Sequence, residues 1–533
     1  MISDVNIKVD RNSCWACGAC VERCILDNLR LSIGPCRTAC PIHMNCQGYI
    51  RLVAQGKERD AAEEMRAGTP FGAILGRICT HPCEESCERA KIDSAISIRT
   101  VKRYLADAFP DIAYRAAAPV SETGLSVAVI GSGPAGIMAA YELRSCGHRV
   151  TVYEAESEPG GLLRYGVPAF RLPGEIVDKS IALLSEMGVV FKTSQAFGTT
   201  LGPEDLIAQN GAVIAAVGAG PSAVLDVPGA DLPDLVDAFE LLKGIKRGRP
   251  PRLGRSVTVI GGGNTAVDAA LSCRLLGVEK VSLVALEDAA HMPAFELEVK
   301  EALEAGVHIE NCWGPTAFMP AADGSIEIEF ARCLTVFDGK GAFAPRFENT
   351  CGLRIKADTI VLAVGQQTKK GKWLQTLSDP SSGKISIDPL TKQSLKTESL
   401  FVCGDAETGP GSVVDAMASA REAALSADRF LRNAGLRWGR NYWAGSYVRE
   451  YEADMARAID RSRVEIPKLP LTQRTVDREI EQTYSASQAL REAERCLSCG
   501  RAFEMNKTCW YCLPCEIECP VKALEVRMPY LVR

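Results

Sequence analysis

Short apolar runs and helix-periodic segments alternate through the middle of the chain. Val127–Ile130 is an uninterrupted apolar run of the kind that forms a buried strand, and Ile137–Leu143 carries apolar residues at helical spacing. A second strand-like run lies at Arg149–Tyr153. The same order of strand, glycine turn, helix and strand returns in the stretch SVTVIGGGNTAVDAALSCRLLGVEKVSLVAL. This pattern predicts two α/β units, each with a glycine-rich turn after its first strand.

The first glycine turn has the spacing G-x-G-x-x-G and consists of Gly131, Gly133, Pro134, Ala135 and Gly136. Glycine permits a tight turn and a close approach of a pyrophosphate, and the N-terminus of the following helix favours its negative charge. Glu154 ends the second strand 18 residues after the third glycine, where a carboxylate can accept hydrogen bonds from an adenosine ribose. These features together predict a dinucleotide site, whereas an isolated glycine turn would be a weak signal.

The length and composition restrict the class of protein. A chain of 533 residues is expected to form several domains, and its net charge of -5 argues against nucleic acid as a partner. The first residues contain no apolar signal segment, and no apolar run is long enough to span a bilayer, so we expect a cytoplasmic protein. The 22 cysteines, many of them two or three residues apart, favour metal clusters in a reducing compartment over disulfides.

Two cysteine runs near the ends of the chain have the spacing of bacterial ferredoxins. The N-terminal run, CWACGACVERC, contains Cys14, Cys17, Cys20 and Cys24. The C-terminal run, CWYCLPCEIEC, contains Cys509, Cys512, Cys515 and Cys519. In two-cluster ferredoxins the fourth cysteine of such a run binds the other cluster, whereas zinc sites usually pair two C-x-x-C halves across a longer spacer. We therefore predict iron–sulfur clusters, with zinc as the alternative.

A second group of cysteines follows the first run and is completed near the other end of the chain. Its members are Cys36, Cys40, Cys46, Cys79, Cys83 and Cys87, with Cys496 and Cys499 in an R-C-x-x-C-G motif. These segments resemble the N-terminal iron–sulfur domain of the glutamate synthase small subunit and of dihydropyrimidine dehydrogenase. The resemblance implies a small helical domain with two 4Fe–4S clusters. Cys46 departs from the family pattern, which has a small apolar residue there, and is either an extra ligand or a buried thiol.

The same resemblance assigns FAD to the first nucleotide unit. It implies flavin contacts from the segment GLLRYGVPAFRLP and from a second, distant segment. The residues concerned are Gly161, Leu162, Arg164, Gly404, Asp405 and Val413. The FAD domain is accordingly expected in two parts, at residues 119–225 and 355–435. Disulfide reductases also use FAD and NADPH, but the remaining cysteines are isolated from one another in sequence and are interpreted as small buried residues.

The second unit predicts an NAD(P)H domain at residues 226–354, inserted between the two parts of the FAD domain. Its turn carries Gly261, Gly263, Asn264 and Thr265. Family members usually place two arginines after the second strand to bind the NADP 2′-phosphate, whereas this chain has Leu286 and Glu287 there. We therefore expect NADH to be preferred over NADPH. Alignment of the two units puts Ala285 at the position of Glu154, so the direction of the Glu287 side chain stays open.

The fold class expected is multidomain α/β, with two Rossmann-like domains, a helical iron–sulfur domain and a ferredoxin-like α+β module. The helical domain is expected at residues 36–118 and the two ferredoxin-like halves at 1–35 and 496–533. Residues 436–495 are charged and aromatic and are expected to form a helical connector over the surface. The ends would meet in one module, so that Cys519 completes the N-terminal run and Cys24 the C-terminal run, giving four clusters in all. The alternatives are local closure of each run or pairing between subunits of a dimer.

Together these features predict an iron–sulfur flavoprotein that moves electrons between a nicotinamide nucleotide and one-electron carriers. It would act as the FAD and nicotinamide subunit of a larger oxidoreductase or as a ferredoxin:NAD oxidoreductase. A hetero-oligomer with ferredoxin or a catalytic oxidoreductase subunit as partner is expected. The alternatives are the small subunit of an amidotransferring glutamate synthase and a non-catalytic iron–sulfur scaffold.

Overall fold

The computed structural model describes residues 6–118, 120–198, 202–220, 222–366, 377–378, 385–438, 440, 447–448, 455, 458–506 and 509–527. Parts of the expected second part of the FAD domain, of the connector and of the C-terminal ferredoxin-like half lie outside the described residues. Among the helices that the structure describes, none is long and apolar enough to cross a membrane.

The strands of the described residues form five sheets. In chain order they are β1 (Ile7–Val9), β2 (Leu29–Ser32), β3 (Ser126–Ile130), β4 (Arg149–Tyr153), β5 (Val190–Lys192), β6 (Ala212–Ala215), β7 (Leu235–Asp237), β8 (Ser256–Ile260), β9 (Lys280–Ala285), β10 (His308–Asn311), β11 (Trp313–Pro320), β12 (Ile326–Phe337), β13 (Phe343–Ala357), β14 (Thr359–Leu362), β15 (Leu400–Val402), β16 (Tyr447–Val448), β17 (Arg501–Glu504) and β18 (Leu524–Val526).

The α-helices are concentrated after the N-terminal cysteine run and around the two parallel sheets. In chain order they are α1 (Ala19–Glu22), α2 (Pro35–Ala39), α3 (Cys46–Ala54), α4 (Glu58–Gly68), α5 (Gly72–Ile78), α6 (Pro82–Glu85), α7 (Ile98–Ala108), α8 (Pro110–Ala113), α9 (Pro134–Ser145), α10 (Leu162–Tyr165), α11 (Gly174–Glu186), α12 (Pro203–Gln209), α13 (Ala238–Lys246), α14 (Asn264–Leu275), α15 (Glu296–Glu304), α16 (Asp405–Thr408), α17 (Val413–Leu431), α18 (Ala486–Ala493) and α19 (Pro514–Ile517).

The first parallel sheet has the strand order β15-β6-β3-β4-β5. Its central strand β3 is buried over Val127–Ile130, as an apolar strand covered on both faces must be. The edge strand β15 pairs in parallel with β6, although the whole second α/β unit lies between them in sequence. Helices α9 and α17, which come from the two distant parts, pack against each other and join them through one core.

The second parallel sheet has the order β10-β9-β8-β14-β7, and the antiparallel sheet β11-β12-β13 is inserted after β10. One expected boundary is wrong. Strand β14 lies within residues 355–435, which were expected to belong to the FAD domain, yet it pairs with β7 and β8 of the second sheet. The reason is that the chain leaves this sheet for the antiparallel insertion and returns to it before crossing to β15.

The two ends of the chain come together. β1 pairs antiparallel with β18, with Ile7 opposite Val526. β2 pairs antiparallel with β17, with Leu31 opposite Ala502, and β16 adds to the other edge of β2. Strand β17, before the C-terminal cysteine run, therefore pairs with β2, after the N-terminal run. Strand β1, before the N-terminal run, pairs with β18, after the C-terminal run.

The helices that follow β2 form a helical layer, packed closely on one another, which shares a core with the helices of the first parallel sheet. A methyl group at Gly76 of α5 would lie 2.7 Å from the Arg103 Cα, so the α5 and α7 backbones are in close contact. The expected helical connector is mostly irregular in its described part, where α18 is the single α-helix. It also does not merely cross the surface, since Ile480 and Tyr484 are buried. Its charged sequence suggested exposure, but its Glu479 and Glu481 form largely buried ion pairs with arginines of the helical layer.

Candidate functional site

A cavity of about 900 Å³ lies at the carboxyl ends of β3, β4, β6 and β15. This is the edge of an open parallel sheet at which dinucleotides bind, and the volume suits a ligand of that size. The residues of the sequence-based FAD set that line it are Gly131, Gly133, Pro134, Ala135, Glu154, Gly161, Leu162, Asp405 and Val413. Of the chain's cysteines, Cys403 lines the cavity within the described residues, so no cysteine pair of the disulfide-reductase kind faces it there.

One glycine of the first turn is packed against the backbone, and another faces the cavity. A methyl group on Gly136 would lie 1.9 Å from the Gly131 carbonyl oxygen, so this glycine allows α9 to pack closely on β3. A methyl group on Gly133 would meet no protein atom within 4 Å, because this residue faces the cavity. The backbone N–H groups at the start of α9 are therefore accessible to a pyrophosphate, and the helix N-terminus favours its charge.

Glu154 is held in place above this turn. Its Oε2 accepts a hydrogen bond from the Ser132 backbone N–H at 3.0 Å and another from the Ser132 hydroxyl. Its Oε1 accepts from the backbone N–H of Glu156 at 2.9 Å. The buried carboxylate thus lies beside the glycine turn with a fixed orientation, where a ribose hydroxyl can donate to it. Ser132 was not predicted, because the middle residue of G-x-G has no required side chain.

The distant segment closes the far side of the cavity. Asp405 begins α16, and burial raises the pKa of its carboxyl to about 6. Gly404 does not line the cavity, but a methyl group there would lie 2.9 Å from the Ala135 Cβ, so it allows the close approach of the two segments. Arg164 also lies outside the cavity lining. Its guanidinium donates to the Pro159 carbonyl oxygen at 2.7 Å and pairs with Asp178 at 2.5 Å.

The second glycine turn has a carboxylate above it despite the different register. Ala285 is the last residue of β9, and Glu287 follows two residues later. A methyl group on Gly262 would lie 2.4 Å from the Glu287 Oε2, so the side chain reaches back over the turn. This oxygen is buried and has no hydrogen-bond partner in the described part of the chain. Glu287 is therefore placed to accept a hydrogen bond from a ligand bound at the turn.

The other residues predicted for this site lie on the same turn. Gly261 and Gly263 flank Gly262, and Asn264 and Thr265 open helix α14. The Asn264 side chain accepts a hydrogen bond from the backbone N–H of Phe295 at 2.8 Å, and this contact fixes the loop before α15. The loop before α15 is therefore held beside the second glycine turn by this hydrogen bond.

The cysteines at the chain ends gather in two places, each drawing on both ends. One cavity is lined by Cys14, Cys17, Cys20 and Cys519. The other is lined by Cys24, Cys509, Cys512 and Cys515. Burial, with the nearby Cys14 and Cys519 sulfurs, raises the pKa of the Cys17 thiol to about 11, so this thiol would be neutral without a bound cation. Four cysteines can bind zinc or an iron–sulfur cluster, and sets in which each run gives its fourth cysteine to the other are those of two-cluster ferredoxins.

A third set forms where the R-C-x-x-C-G motif folds back onto the helical layer. A cavity there is lined by five cysteines and by Gln47; the cysteines are Cys36, Cys46, Cys87, Cys496 and Cys499. Gln47 fixes the motif, since it donates to the Gly500 carbonyl oxygen and accepts from the Gly500 N–H, both at 2.6 Å. The remaining cysteines, Cys40, Cys79 and Cys83, are buried next to this set. No three Cys, His, Asp or Glu side chains of the described residues are arranged to hold a single metal ion.

Arg495 anchors the same motif in the interior. Its guanidinium pairs with Glu492 at 2.7 Å and with Asp93 at 3.0 Å, and it is fully buried. Glu492 is also fully buried, and it accepts hydrogen bonds from the backbone N–H groups of Ser97 and Val464, both at 2.8 Å. Sequence reasoning singled out Arg495 but missed Glu492. The only available signal was a charged residue on the apolar face of a short helix.

Comparisons with known proteins identify the family. The pyridine nucleotide-disulphide oxidoreductase family matches residues 125–420, and dihydropyrimidine dehydrogenase domain II, 4Fe-4S cluster, matches residues 16–113. The chain belongs to the pyridine nucleotide-disulphide oxidoreductase family. It is an FAD-dependent NAD(P)H oxidoreductase with an added 4Fe–4S domain, as the resemblance indicated.

Two curated relatives are subunits of dehydrogenases. The chain is 31% identical over 500 residues to the NADP(+)-dependent formate dehydrogenase subunit beta of Moorella thermoacetica, covering 88% of this chain and 70% of that one. It is 32% identical over 403 residues to the NAD-dependent dihydropyrimidine dehydrogenase subunit PreT of Escherichia coli (strain K12), covering 75% and 92%. These relatives confirm the predicted class of iron–sulfur flavoprotein subunit.

A solved structure supports the fold of the two nucleotide domains. Mycobacterium tuberculosis FprA in complex with NADPH superposes with a TM-score of 0.51 at 19% identity, covering 58% of this chain and 85% of that one. The expected pair of Rossmann-like domains is confirmed at this level.

Proposed function

We propose that this flavoprotein transfers electrons between NADH and four 4Fe–4S clusters, as the FAD and nicotinamide subunit of a larger oxidoreductase. The proposal is carried by one observation: the dinucleotide cavity, the second glycine turn and sixteen converging cysteines belong to one chain. A bound flavin exchanges electron pairs with the nicotinamide and single electrons with the clusters. The residues of the chain bind and orient these groups and exclude water.

The helical cluster domain is tied directly to the flavin-binding helices. Arg421 of α17 pairs with Glu142 of α9 at 2.7 Å. The same guanidinium donates to the carbonyl oxygens of Ile42 at 3.2 Å and Gly68 at 3.0 Å. Ile42 lies two residues from Cys40, so this contact fixes the distance between the nearest cysteine set and the flavin helices. The N-terminal run in turn contacts the helical domain, because Asn45 donates to the Trp15 carbonyl oxygen at 3.4 Å.

The test of electron transfer is an anaerobic titration of the purified, reconstituted chain with NADH. We expect the flavin absorbance to bleach first and the iron–sulfur absorbance to follow, with paramagnetic reduced clusters. A reduced flavin beside clusters that all stay oxidised, with no external acceptor present, would contradict the internal relay. A flavin that NADH leaves oxidised would instead favour the non-catalytic scaffold.

Glu287 supports a preference for NADH. A 2′-phosphate would meet this carboxylate, whereas the 2′-hydroxyl of NADH can donate to its Oε2, which has no partner among the described residues. A hydrogen bond to a charged group contributes about 1.5–3 kcal/mol, which corresponds to a preference of at least about tenfold in kcat/KM. Glu287→Gln should reduce this ratio, and Glu279→Gln, a substitution at the exposed opposite end of β9, should not. Equal specificity constants in the wild type would contradict the proposal.

The C-terminal cysteine set supports a protein partner. Cys512 is exposed, and the ligands of this set are flanked in sequence by exposed apolar residues, of which Trp510 is 74% and Ile517 75% exposed. Such a rim around a cluster suits docking of a one-electron carrier or of a catalytic subunit. Copurification with tagged wild type should recover a redox protein that Trp510→Glu loses, while Leu395→Glu, at an equally exposed leucine elsewhere, keeps it. Recovery of an amidotransferring large subunit would favour the glutamate synthase alternative.

A further inference from the structure

Three of the helical-layer cysteines are left without a fourth after the first set is assigned. Cys36, Cys87, Cys496 and Cys499 line one cavity together with Cys46, and four cysteines are sufficient for one cluster. Cys40, Cys79 and Cys83 are buried beside them. An iron–sulfur cube held in the usual way needs four ligands, so this second set is short by one.

Cys46 lies between the two sets. It is 2% exposed and is the first residue of α3. Its sulfur is within hydrogen-bonding range of the Cys36, Cys40 and Cys83 sulfurs. The start of α3 is held rigidly, because the Asn45 side chain accepts from the Gly48 N–H at 3.1 Å and Gln47 bridges to Gly500. The position of Cys46 is therefore set by the backbone on both sides and not by loose packing.

Lys102 shows which set Cys46 completes. This residue of α7 is 4% exposed, and its ammonium group interacts electrostatically with Cys40, Cys46, Cys79 and Cys83. No carboxylate pairs with it in the part of the chain that the structure describes. A buried ammonium is costly unless an anion lies beside it, and four thiolates around an iron–sulfur cube provide that negative charge.

Tyr49 adds a further polar group at the same place. It is fully buried one helical turn after Cys46, and its hydroxyl lies within hydrogen-bonding range of the Cys46 sulfur. A cysteine sulfur bound to iron carries negative charge, so it would accept a hydrogen bond from this hydroxyl better than a neutral thiol does.

We infer that Cys46 is the fourth ligand of a second iron–sulfur cluster held by Cys40, Cys79 and Cys83, and that the Lys102 ammonium faces this cluster as a fixed positive charge. The inference rests on the proposed iron–sulfur function of the helical domain. It extends that proposal by assigning the cysteine that departs from the family pattern and by adding a residue that sets the reduction potential. A nearby positive charge stabilises the more negative, reduced state of a cluster.

The ligand role is tested in the full-length chain with Cys46→Ala and, as control, Cys273→Ala. Cys273 is an equally buried cysteine on α14 and belongs to a hydrophobic core that contains none of the cysteines of the proposed sets. Iron and sulfide are measured per FAD, and the clusters are followed by electron paramagnetic resonance. We expect Cys46→Ala to lose one cluster's iron, or to retain a three-iron cluster that is paramagnetic when oxidised, with FAD content unchanged. Wild-type iron content and spectra in this variant would overturn the inference.

The charge is tested with Lys102→Met and Lys102→Arg. The methionine variant keeps the length and apolar stem of the side chain, and the arginine variant keeps the charge. We expect the midpoint potential of one cluster to become more negative in Lys102→Met and to stay near the wild-type value in Lys102→Arg, with equal iron content. An unchanged potential in Lys102→Met would refute the role of Lys102. Failure of NADH to reduce the wild-type flavin would refute the proposed function separately, because the iron and potential measurements do not depend on it.

Discussion

The buried carboxylate of Glu492 is predicted to hold the R-C-x-x-C-G motif in place, so its removal should cost one cluster. Glu492 and Arg495 are both fully buried and pair at 2.7 Å. The carboxylate also accepts the backbone N–H groups of Ser97 and Val464, which belong to the helical layer and to the connector. Glu492→Ala removes all three contacts at once and leaves a cavity.

The magnitude follows from these contacts. Removing one partner of a buried ion pair costs about 3–5 kcal/mol, although Asp93 at 3.0 Å still offsets part of the Arg495 charge. Each of the two orphaned N–H groups adds about 1–3 kcal/mol. The total is comparable to the whole stability of a typical domain, about 5–15 kcal/mol, so we expect the motif to detach locally. Glu492→Gln keeps the shape and one acceptor and should cost about 1.5–3 kcal/mol.

The assay combines iron per FAD with hydrogen exchange across residues 458–500. In Glu492→Ala we expect loss of the cluster that takes Cys496 and Cys499, fast exchange in this segment and full retention of FAD. Glu492→Gln should keep the cluster and melt at a lower temperature. Glu492→Ala with wild-type iron content and protected amides would refute this account of how the motif is anchored.

Three further predictions concern other parts of the molecule. Gly136→Ala places a methyl group 1.9 Å from the Gly131 carbonyl oxygen and should destabilise the FAD domain by at least about 1–3 kcal/mol. Gly133→Ala should leave the melting temperature of the protein unchanged and weaken its binding of FAD. Equal effects of the two variants in calorimetry and in flavin titration would contradict this prediction. Burial raises the pKa of Glu298 to about 7, so the stability that its protonated form provides is lost as the pH rises from about 4.5 to 7. Glu298→Gln should therefore melt at a higher temperature than wild type at pH 8 but not at pH 4. Melting temperatures that change in parallel across this pH range would disprove the prediction. Deletion of residues 505–533 should remove the iron of both ferredoxin-type clusters and spare FAD, and loss of only one cluster's iron would argue for local closure of each run.

Local patterns were sufficient to locate the nucleotide-binding elements. The run Val127–Ile130 forms β3, and Arg149–Tyr153 forms β4 with the same bounds. The glycine spacing gave the turn because each glycine meets a constraint from residues only a few positions away, such as the contact between Gly136 and Gly131. The family followed from the combination of these turns with the cysteine spacing.

The domain boundaries and the connector depended on long-range pairing. Strand β14 could not be assigned to a sheet from its own sequence, since an apolar strand of four residues fits the centre of either parallel sheet. The connector was charged and looked exposed, but its Glu479 pairs with Arg77 and Arg103 of the helical layer. Charge in a sequence does not reveal whether a partner of opposite charge will be buried with it.

The sequence by itself determined which residue types are available at each site, and the tertiary structure decided which of them meet. Cysteine spacing indicated clusters, but only the pairing of β1 with β18 and of β2 with β17 places Cys519 beside the N-terminal run. Register alignment put Ala285 above the second glycine turn, whereas the side chain that reaches it belongs to Glu287. The physical reason is range: backbone conformation responds to near neighbours in sequence, while a ligand set or a buried ion pair depends on groups hundreds of residues apart and on the direction of each side chain.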